Sequence, residues 1–381
     1  MFAERYKRRI AAQRQAGLYR SPPEISKRDG KYLDIGGHRV LNFASNDYLG
    51  LGCSETLKKK VANNFQKFNA SSSSSRLVSG NYSAISQAEK EYAKHFGYDE
   101  ALFFPSGYQA NIGILSTFFE KGDTIICDKH VHASTVEGMT LSGAGFKGYN
   151  HNSMSHLKKR LEANGQDQMA VLTESLFSMD GDLLDTGAFD KVKKEYKFLC
   201  IVDEAHAFGV LGDKGCGMAG NVADIALGTF GKALGLFGAF VLLPEGFKEY
   251  LFNFASPLIY TTALPEAHAS AAVDLLEIIS ERDDLRAHLK QVSQHMKKGL
   301  SREGFQVTGD AHILAVRIGE EHKSMAVARG LLDRGIFILP ARFPTVPIRK
   351  AILRVSMTAM HTDKDVADFI RTLSEVLDQI E

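Results

Sequence analysis

The chain of 381 residues contains few cysteines and no cluster of them. The four, Cys53, Cys127, Cys200 and Cys216, are scattered without a C-x-x-C pair. This spacing argues against a disulfide framework and against a zinc site, and it is typical of proteins from a reducing compartment. We therefore expect a cytoplasmic protein with no bound metal.

Long apolar runs are missing too. No stretch reaches the roughly 20 residues of a membrane-spanning helix, so we expect no membrane partner. Residues 1–20 lack the apolar core of a signal peptide. They are rich in arginine, which leaves a transit peptide as one alternative. The favoured interpretation is a basic amphipathic helix lying on the folded body.

An excess of one charge is also absent. Lysine and arginine number 46 against 45 acidic residues, which gives a formal net charge of +1. A balanced chain carries no electrostatic footprint for nucleic acid or for an acidic surface. Hydrophobic residues make up 44%, enough for a sizeable core, and the length allows two domains.

Apolar, strand-like runs alternate with helix-like segments through the middle of the chain. Strands are predicted at residues 101–104, 123–127, 169–173, 198–202, 225–228 and 238–243, and helices at 108–119, 134–141, 155–163 and 189–196. This alternation predicts an α/β fold with a buried, mostly parallel sheet covered by helices on both faces. Ligands of such sheets bind beyond the carboxyl ends of the strands.

The pattern changes near residue 275. Helices are predicted at 285–300, at 324–334 and from 363 onward, and short strands at 313–318, 336–339 and 352–356. We expect an N-terminal arm or helix at 1–40, a large domain at 41–275 and a smaller α+β domain at 276–381. Residues 71–75 are five consecutive serines, which we interpret as an ordered loop rather than a flexible linker.

Two short segments suggest the chemistry. VDEAH at residues 202–206 and TFGKALG at residues 229–235 each follow a predicted strand. The two strand ends could therefore aim Asp203 and Lys232 into one crevice. A pyridoxal phosphate enzyme needs this pair, a lysine for the cofactor aldehyde and an acid for the pyridine nitrogen. A helix cap and a solvated turn stay open as structural alternatives for the two segments alone.

The tetrapeptide Asp-Glu-Ala-His also occurs in nucleic-acid helicases, which bind a nucleotide and its metal. Those enzymes need an upstream phosphate-binding loop, G-x-x-x-x-G-K-[ST]. The chain has no such loop, because Lys232 is followed by Ala233 and lies downstream of the acids. The helicase interpretation is therefore disfavoured.

Further segments fit a planar, phosphorylated cofactor. PSGYQAN at residues 105–111 follows a strand and opens a helix, whose first amides, together with Gly107, could hold a phosphate. DKHVHAS at residues 128–134 contains two histidines but no third metal ligand nearby, so ring stacking is favoured over metal binding. Ser178 could contact a ring hydroxyl. Each segment alone would also suit an ordinary turn.

Taken together, and in this order along nearly the whole chain, the segments resemble the α-oxoamine synthase family. Other matching stretches are NFASNDYLGL at residues 42–51, RLVSG at 76–80, FSMDGD at 177–182, LIYTT at 258–262, FPTVP at 343–347 and LRV at 353–355. The resemblance implies a fold-type I pyridoxal phosphate enzyme with a mostly parallel seven-stranded sheet. It also implies a homodimer with shared active sites.

The resemblance assigns roles to individual residues. Lys232 would bond to pyridoxal 5′-phosphate and move the α-proton, Asp203 would pair with the pyridine nitrogen, and His132 would stack on the ring. These three would be catalytic. The other cofactor-binding residues would be Gly107, Tyr108, Ser178, His206, Thr229 and, from a second subunit, Thr261 or Thr262.

The implied reaction is a decarboxylating condensation of L-alanine with a pimeloyl thioester of CoA or a carrier protein, a step of biotin biosynthesis. The alternative is another reaction of the family, with glycine or serine and a different acyl-CoA. Arg354 would bind the amino-acid carboxylate as a bidentate guanidinium, with Asn46 close by. Arg20 would meet the distal carboxylate of the pimeloyl chain. A catalytically silent partner of this fold is disfavoured, because the catalytic residues are all present.

Two departures from the family pattern concern the acyl substrate. The serine run at 71–75 replaces a segment usually rich in glycine, and Ser86 stands where a histidine is usual. Each serine adds a side chain where glycine leaves space and permits positive φ. If this loop lines the acyl channel, the preferred thioester would differ from pimeloyl.

Overall fold

The computed structural model describes residues 2–164 and 169–380. Its helices in those ranges are α1 (Phe2–Gln15), α2 (Glu55–Lys67), α3 (Ser83–Phe96), α4 (Gly107–Phe118), α5 (Ala133–Ser142), α6 (Met154–Glu162), α7 (Thr186–Tyr196), α8 (Phe247–Phe254), α9 (Ser256–Ile259), α10 (Glu266–Ser280), α11 (Asp283–Arg302), α12 (Glu321–Asp333) and α13 (Asp363–Asp378). Its strands are β1 (Ile25–Asp29), β2 (Tyr32–Ile35), β3 (His38–Asn42), β4 (Glu100–Phe104), β5 (Thr124–Asp128), β6 (Gly145–Tyr149), β7 (Met169–Glu174), β8 (Leu199–Asp203), β9 (Ile225–Thr229), β10 (Ala239–Leu243), β11 (Val307–Thr308), β12 (Ile313–Gly319), β13 (Ile336–Phe337), β14 (Pro340–Ala341) and β15 (Ala351–Ser356).

The largest sheet in the described part of the chain has seven strands in the order β4-β10-β9-β8-β7-β5-β6. Neighbouring strands pair in parallel, except that β10 is antiparallel to both β4 and β9. Every residue of β10 is buried, as expected for strands covered on both faces. The predicted α/β fold with a mostly parallel, seven-stranded sheet is confirmed.

The core of this sheet is built where the helices that follow its strands pack back on it. Leu102 and Phe104 of β4, Ile114 and Leu115 of α4 and Met139 of α5 belong to one buried apolar cluster. Burial of this apolar surface holds the start of α4 and the start of α5 against the sheet. Both helix starts lie in segments that the sequence linked to the cofactor.

By their contacts, the described residues fall into two compact units. Unit 1 comprises Met1–Gly50, Ser178–Asp182 and Ala287–Glu381, and unit 2 comprises Leu51–Phe177 and Leu183–Arg286. Unit 2 contains the seven-stranded sheet. Unit 1 contains two four-stranded sheets, β1-β2-β3-β13 and β11-β12-β15-β14. The domain limits expected from the sequence stay a prediction.

Between residues 101 and 243 each predicted helix and strand is present, with ends shifted by at most three residues. The strand β6 was not predicted there, because the sequence GFKGY has two glycines and only its last residue is buried. Strands β1 to β3 of the N-terminal segment were also missed. β1 is ISKRD and exposed throughout, so it lacks the apolar alternation that signals a strand.

The basic N-terminal helix is present as α1, but it has no buried residue. The expectation that it lies on the folded body is therefore wrong for the described chain. Its apolar residues Phe2, Tyr6 and Ile10 are all exposed. None of the helices described here combines the length and the apolar character that a membrane span requires.

Candidate active site

A cavity of about 190 Å³ lies within unit 2, beyond the carboxyl ends of the parallel strands. It is lined by Gly107, Tyr108, Asn111, His132, Ser134, Glu174, Asp203, Ala205, His206, Leu227, Thr229 and Lys232. Strands β7, β8 and β9 end at Glu174, Asp203 and Thr229. The parallel pairing of these strands brings their last residues to the same edge of the sheet, which explains why distant segments share one cavity.

Lys232 lies in a tight turn between β9 and β10. Gly235 closes the turn with a φ of +69°, and a Cβ there would come within 2.4 Å of the backbone nitrogen of Gly52. Only glycine meets both demands. The turn directs Lys232 so that its Nζ is 2.8 Å from Nε2 of His206. The structure therefore brings the predicted lysine and the predicted second histidine into contact.

Asp203 is held as a hydrogen-bond acceptor at the end of β8. Its Oδ1 accepts from the backbone nitrogen of Ala205 at 2.9 Å, and its Oδ2 accepts from Nδ2 of Asn111 at 3.1 Å. A carboxylate that receives two donors is fixed in orientation. An acid fixed at this position could accept a hydrogen bond from a protonated pyridine nitrogen.

His132 caps the N-terminus of α5, where its side chain accepts from the backbone nitrogen of Ser134. Burial lowers the pKa of His132, and the nearby charge of Lys232 lowers it further, while Asp203 acts in the opposite direction. The imidazole is thus mainly neutral near pH 7. A neutral, planar ring on the cavity wall suits the predicted stacking role.

The predicted phosphate turn forms the N-terminus of α4. The Ser106 side chain caps this helix by accepting from the backbone nitrogen of Gln109 at 3.2 Å. Gly107 and Tyr108 follow and line the cavity. The first amides of a helix point outward and favour an anion. Thr229, whose hydroxyl donates to the Gly238 carbonyl at 3.0 Å, lines the same cavity.

Thr261 and Thr262 are not among the residues that line this cavity. Thr262 instead pairs with Ser75 in an antiparallel bridge. Next to it, Ser72 is buried and donates to the carbonyl of Ala263 at 2.6 Å. The serine run therefore forms an ordered loop, as predicted. It contacts the threonine segment and also Ser79, Gly80 and Tyr82.

The predicted carboxylate-binding residues lie together in unit 1. Arg354 Nη1 donates to Asn46 Oδ1 at 3.2 Å and to Ser356 Oγ at 2.5 Å, and its Nη2 donates to the hydroxyl of Tyr48 at 3.3 Å. Its Nε donates to the carbonyl of Ser178 at 2.5 Å. Four of the five N–H donors of the guanidinium are thereby used, and one on Nη2 remains. The bidentate contact expected from the sequence would therefore require at least one of these hydrogen bonds to break.

Arg20, the residue suggested for the distal carboxylate, is exposed in unit 1. Burial lowers the pKa of Arg342, and the positive charge of the nearby Arg20 lowers it further. Arg342 donates to the carbonyls of Gly17 and Tyr19. The structure thus groups Arg20 with a second arginine, and its role in acyl binding stays a prediction.

Four polar residues at these sites were not predicted. Asn111, Ser134 and Glu174 line the cavity, and Tyr48 contacts Arg354. Asn111 lies four residues after Gly107, and Ser134 lies two residues after His132. Both therefore belong to segments that the sequence analysis linked to the cofactor. Helical spacing could have indicated that Asn111 shares a face with Gly107. No local signal marks Glu174 or Tyr48.

Glu204, the second acid of the Asp-Glu-Ala-His segment, is buried away from the cavity lining. Its Oε1 accepts from the backbone nitrogens of Met218 at 2.9 Å and Ala219 at 2.6 Å, and the hydroxyl of Ser175 donates to its Oε2. Burial raises the pKa of Glu204 from 4.5 to about 7. The side chain connects the end of β8 to the loop that precedes β9.

The residues of the cavity fit a phosphorylated pyridine aldehyde. An amine, a carboxylate, a neutral imidazole and the start of a helix line one space of about 190 Å³. The amine suits the aldehyde, and the carboxylate suits the ring nitrogen. The imidazole suits the face of the ring, and the start of the helix suits the phosphate. A helix cap and a solvated turn, the structural alternatives for Asp203 and Lys232, do not describe this arrangement.

Comparison with known families agrees with the site. The profile of the aminotransferase class I and II family matches residues 38–373, which is most of the chain. The chain therefore belongs to the aminotransferase class I and II family. Its predicted resemblance to pyridoxal phosphate enzymes of fold type I is confirmed.

Individual relatives show which enzymes of the family this chain is similar to. An 8-amino-7-oxononanoate synthase from Chlorobaculum parvum is 39% identical over 354 residues, which cover 90% of each chain. A solved 8-amino-7-oxononanoate synthase from Francisella tularensis is 31% identical, covers 89% of this chain and 98% of its own, and superposes with a TM-score of 0.78. A serine palmitoyltransferase from S. paucimobilis, solved with a bound PLP–myriocin aldimine, is 25% identical, with coverage of 98% and 97% and a TM-score of 0.92.

Proposed function

We propose that this chain is a pyridoxal phosphate-dependent acyltransferase that condenses L-alanine with a pimeloyl thioester, releases carbon dioxide and forms 8-amino-7-oxononanoate in biotin biosynthesis. The observation that carries the proposal is the meeting of Lys232, Asp203 and His132 in one cavity that opens at the start of α4. Several relatives of the chain over most of its length carry the name of this enzyme.

Pyridoxal phosphate, when bound, supplies an electron sink for the carbanion at the α-carbon of the amino acid. Lys232 holds the cofactor and, as a free amine, takes and returns the α-proton. Asp203 would keep a proton on the pyridine nitrogen, and its two hydrogen-bond donors, Asn111 and the backbone of Ala205, hold the carboxylate in place for this role. His132 would cover the ring, and His206, which contacts Lys232, would bind the ring oxygen. The role of Ser178 at the same oxygen stays a prediction.

The first amides of α4, at Gly107 and Tyr108, would hold the phosphate. The hydroxyl of Thr229 would donate to it after turning away from the Gly238 carbonyl. The carboxylate of the amino acid binds to Arg354, with Asn46 beside it. Support comes from the flat guanidinium, which is held by four neutral oxygens and keeps one N–H donor on Nη2 for an incoming anion.

The active form is a homodimer in which each subunit completes the site of its partner. Thr261 or Thr262 of one subunit would reach the phosphate bound by the other, which agrees with their absence from the lining of the described cavity. The neighbouring Tyr260 side chain is 82% exposed. Phe2, Tyr6 and Ile10 form an exposed apolar stripe on α1, which a second subunit would cover.

The thioester is carried by CoA or by an acyl carrier protein, and Arg20 meets the distal carboxylate of the acyl chain. Arg20 is exposed, and the neighbouring Arg342 adds a second positive charge. The enzyme works in the cytoplasm. Cys127 and Cys200 are buried thiols, as suits a reducing compartment.

A second candidate is a different reaction of the same type, with serine and a longer acyl chain. The observation in its favour is the higher TM-score of the serine palmitoyltransferase. The serine run, which replaces the usual glycines, is the feature of this chain that would accompany a change of acyl group.

A substrate matrix separates the candidates. Alanine, glycine and serine are each paired with pimeloyl, acetyl, succinyl and palmitoyl thioesters of CoA and, for pimeloyl, of a carrier protein. Release of carbon dioxide is measured for every pair. We expect the alanine and pimeloyl pair to give the highest kcat/KM. Dominant turnover with serine and palmitoyl-CoA, or with glycine, would replace the first proposal by the second.

A further inference from the structure

A continuous chain of polar contacts in unit 2 connects the half-buried Asp203 with the exposed His132 through two buried residues, Asn111 and Ser134. Nδ2 of Asn111 is 3.1 Å from Oδ2 of Asp203 and 3.1 Å from Oγ of Ser134. Oγ of Ser134 is in turn 2.7 Å from Nδ1 of His132. Asn111 and Ser134 are 5% and 1% exposed, so water has little access to the contact between these two residues.

The chemistry of the groups fixes the direction of both hydrogen bonds of Asn111 and leaves Ser134 able to donate to His132. An ionised carboxylate can only accept, so the atom of Asn111 that faces Asp203 is the NH₂ group. That group has no lone pair to offer, so Oγ of Ser134 accepts its second hydrogen. The Ser134 hydroxyl is then free to donate its own hydrogen to Nδ1 of His132.

A second contact gives the same assignment for the imidazole. The backbone nitrogen of Ser134 donates to Nδ1 of His132 at 3.3 Å. A ring nitrogen that accepts from both a hydroxyl and an amide carries no proton. The single proton of the neutral ring therefore lies on Nε2. Burial, which lowers the pKa of His132, favours this neutral form over the imidazolium.

We propose that Asn111 and Ser134 are positioning residues that join Asp203 to His132 through one directed chain of hydrogen bonds and hold His132 as the neutral Nε2–H tautomer. His132 then presents a donor and cannot compete with Lys232 for the α-proton. Asp203 gains a donor that stabilises its charge. The roles of His132 as a donor and of Lys232 as the base rest on the proposed function. The tautomer of His132 does not depend on it.

The direct test is the ¹⁵N–¹H spectrum of the histidine rings in labelled, cofactor-loaded enzyme. The signals of His132 are assigned by their loss in His132→Gln. We expect a protonated Nε2 and an unprotonated Nδ1 between pH 6 and 8. A proton on Nδ1 in the wild-type enzyme would overturn the proposal. The tautomer is read from the wild-type enzyme, and His132→Gln serves only to assign the signals.

Variants test whether the hydrogen bonds of Asn111 and Ser134 determine the tautomer of His132. Ser134→Ala should give a mixture of both tautomers, and Ser134→Thr, which restores a hydroxyl, should return the wild-type pattern. Asn111→Leu should weaken the preference as well. Ser116→Ala is the matched control, because Ser116 lies on the same helix as Asn111 and bonds only to the carbonyl of Ile112. An unchanged tautomer in both Ser134→Ala and Asn111→Leu would contradict the proposal.

Exchange of the α-proton of L-alanine gives a second, independent readout. Its rate should fall about two- to tenfold in Ser134→Ala, the range set by the loss of one hydrogen bond, and its pH profile should shift. If the wild-type enzyme exchanges no α-proton of any amino acid, the proposed function fails while the tautomer result still stands. If exchange is normal but the tautomer is wrong, only the positioning proposal fails.

Discussion

The two polar clusters of the molecule differ in how their charges are balanced. In unit 2, an acid and an amine line one cavity. The carboxylate of Asp203 contacts the amide of Asn111, and the amine of Lys232 contacts the imidazole of His206. In unit 1, the guanidinium of Arg354 contacts only neutral oxygens. The first arrangement suits the movement of protons, and the second suits the binding of an anion. The predictions below test this difference.

The largest effect is expected at Lys232. Replacement by alanine removes the only amine that lines the described cavity and, with it, the base for the α-proton. Turnover should fall by at least about 10²–10⁴-fold, and the absorbance of the lysine-bound cofactor should disappear. Lys121→Ala, at an exposed lysine of the same unit, should retain full activity. Near-normal turnover of Lys232→Ala would contradict the assigned base.

Arg354→Ala should act on binding instead. Loss of a charge-assisted contact to a carboxylate should raise the KM for the amino acid about 10- to 100-fold and leave kcat less affected. Initial rates at varied L-alanine concentration measure both constants. Arg317→Ala, at an exposed arginine of β12, is the control. A drop in kcat alone, with unchanged KM, would place Arg354 outside carboxylate binding.

Glu204→Gln should change how stability depends on pH. The pKa of Glu204 is about 7 in the folded protein and 4.5 ordinarily, so the native state holds the proton more tightly than the unfolded chain. This contribution is fully present below pH 4.5 and is lost as pH rises through 7. Glutamine cannot ionise. Relative to the wild type, the variant should therefore gain on the order of 1–3 kcal/mol of unfolding free energy between pH 5 and pH 8.

Denaturant unfolding at the two pH values measures this gain. Glu245→Gln, at an exposed glutamate of the same unit, should show no such gain. Equal stability differences at pH 5 and pH 8 for Glu204→Gln would mean that the side chain does not bind a proton in this range.

The smallest effect is expected at the serine run. Ser72→Ala removes the hydroxyl that donates to the carbonyl of Ala263 and should cost about 0.5–1.5 kcal/mol of unfolding free energy. Because Ala263 follows Thr262, cofactor affinity should also fall, by a few fold, if that threonine segment reaches the phosphate of a partner. Ser79→Ala, at an exposed serine of the same loop, should change neither quantity. A change in acyl preference with normal cofactor affinity would instead connect the loop to the acyl channel.

Apolar runs in the sequence predicted strands correctly where the strands are buried. The strands that end at Asp203 and Thr229 are buried on both faces, so their apolar runs located them within one residue. The exposed strands β1 and β6 have no such pattern, and they were missed. The helix α1 was predicted from its basic amphipathic sequence, but its expected packing was not found. Packing depends on what lies opposite a surface, and a local pattern does not contain that information.

By itself, the sequence determined the α/β architecture, the cofactor class and most residues that line the cavity, because tight turns and strand ends demand particular residues at particular places. Only the tertiary structure decided which polar groups meet. The contacts of Asn111 with Asp203 and Ser134 join positions 92 and 23 residues apart, and those of Arg354 with Asn46 and Tyr48 join positions more than 300 apart. Such contacts arise from the parallel order of the strands and from the return of the chain end to its start, which are global properties of the fold.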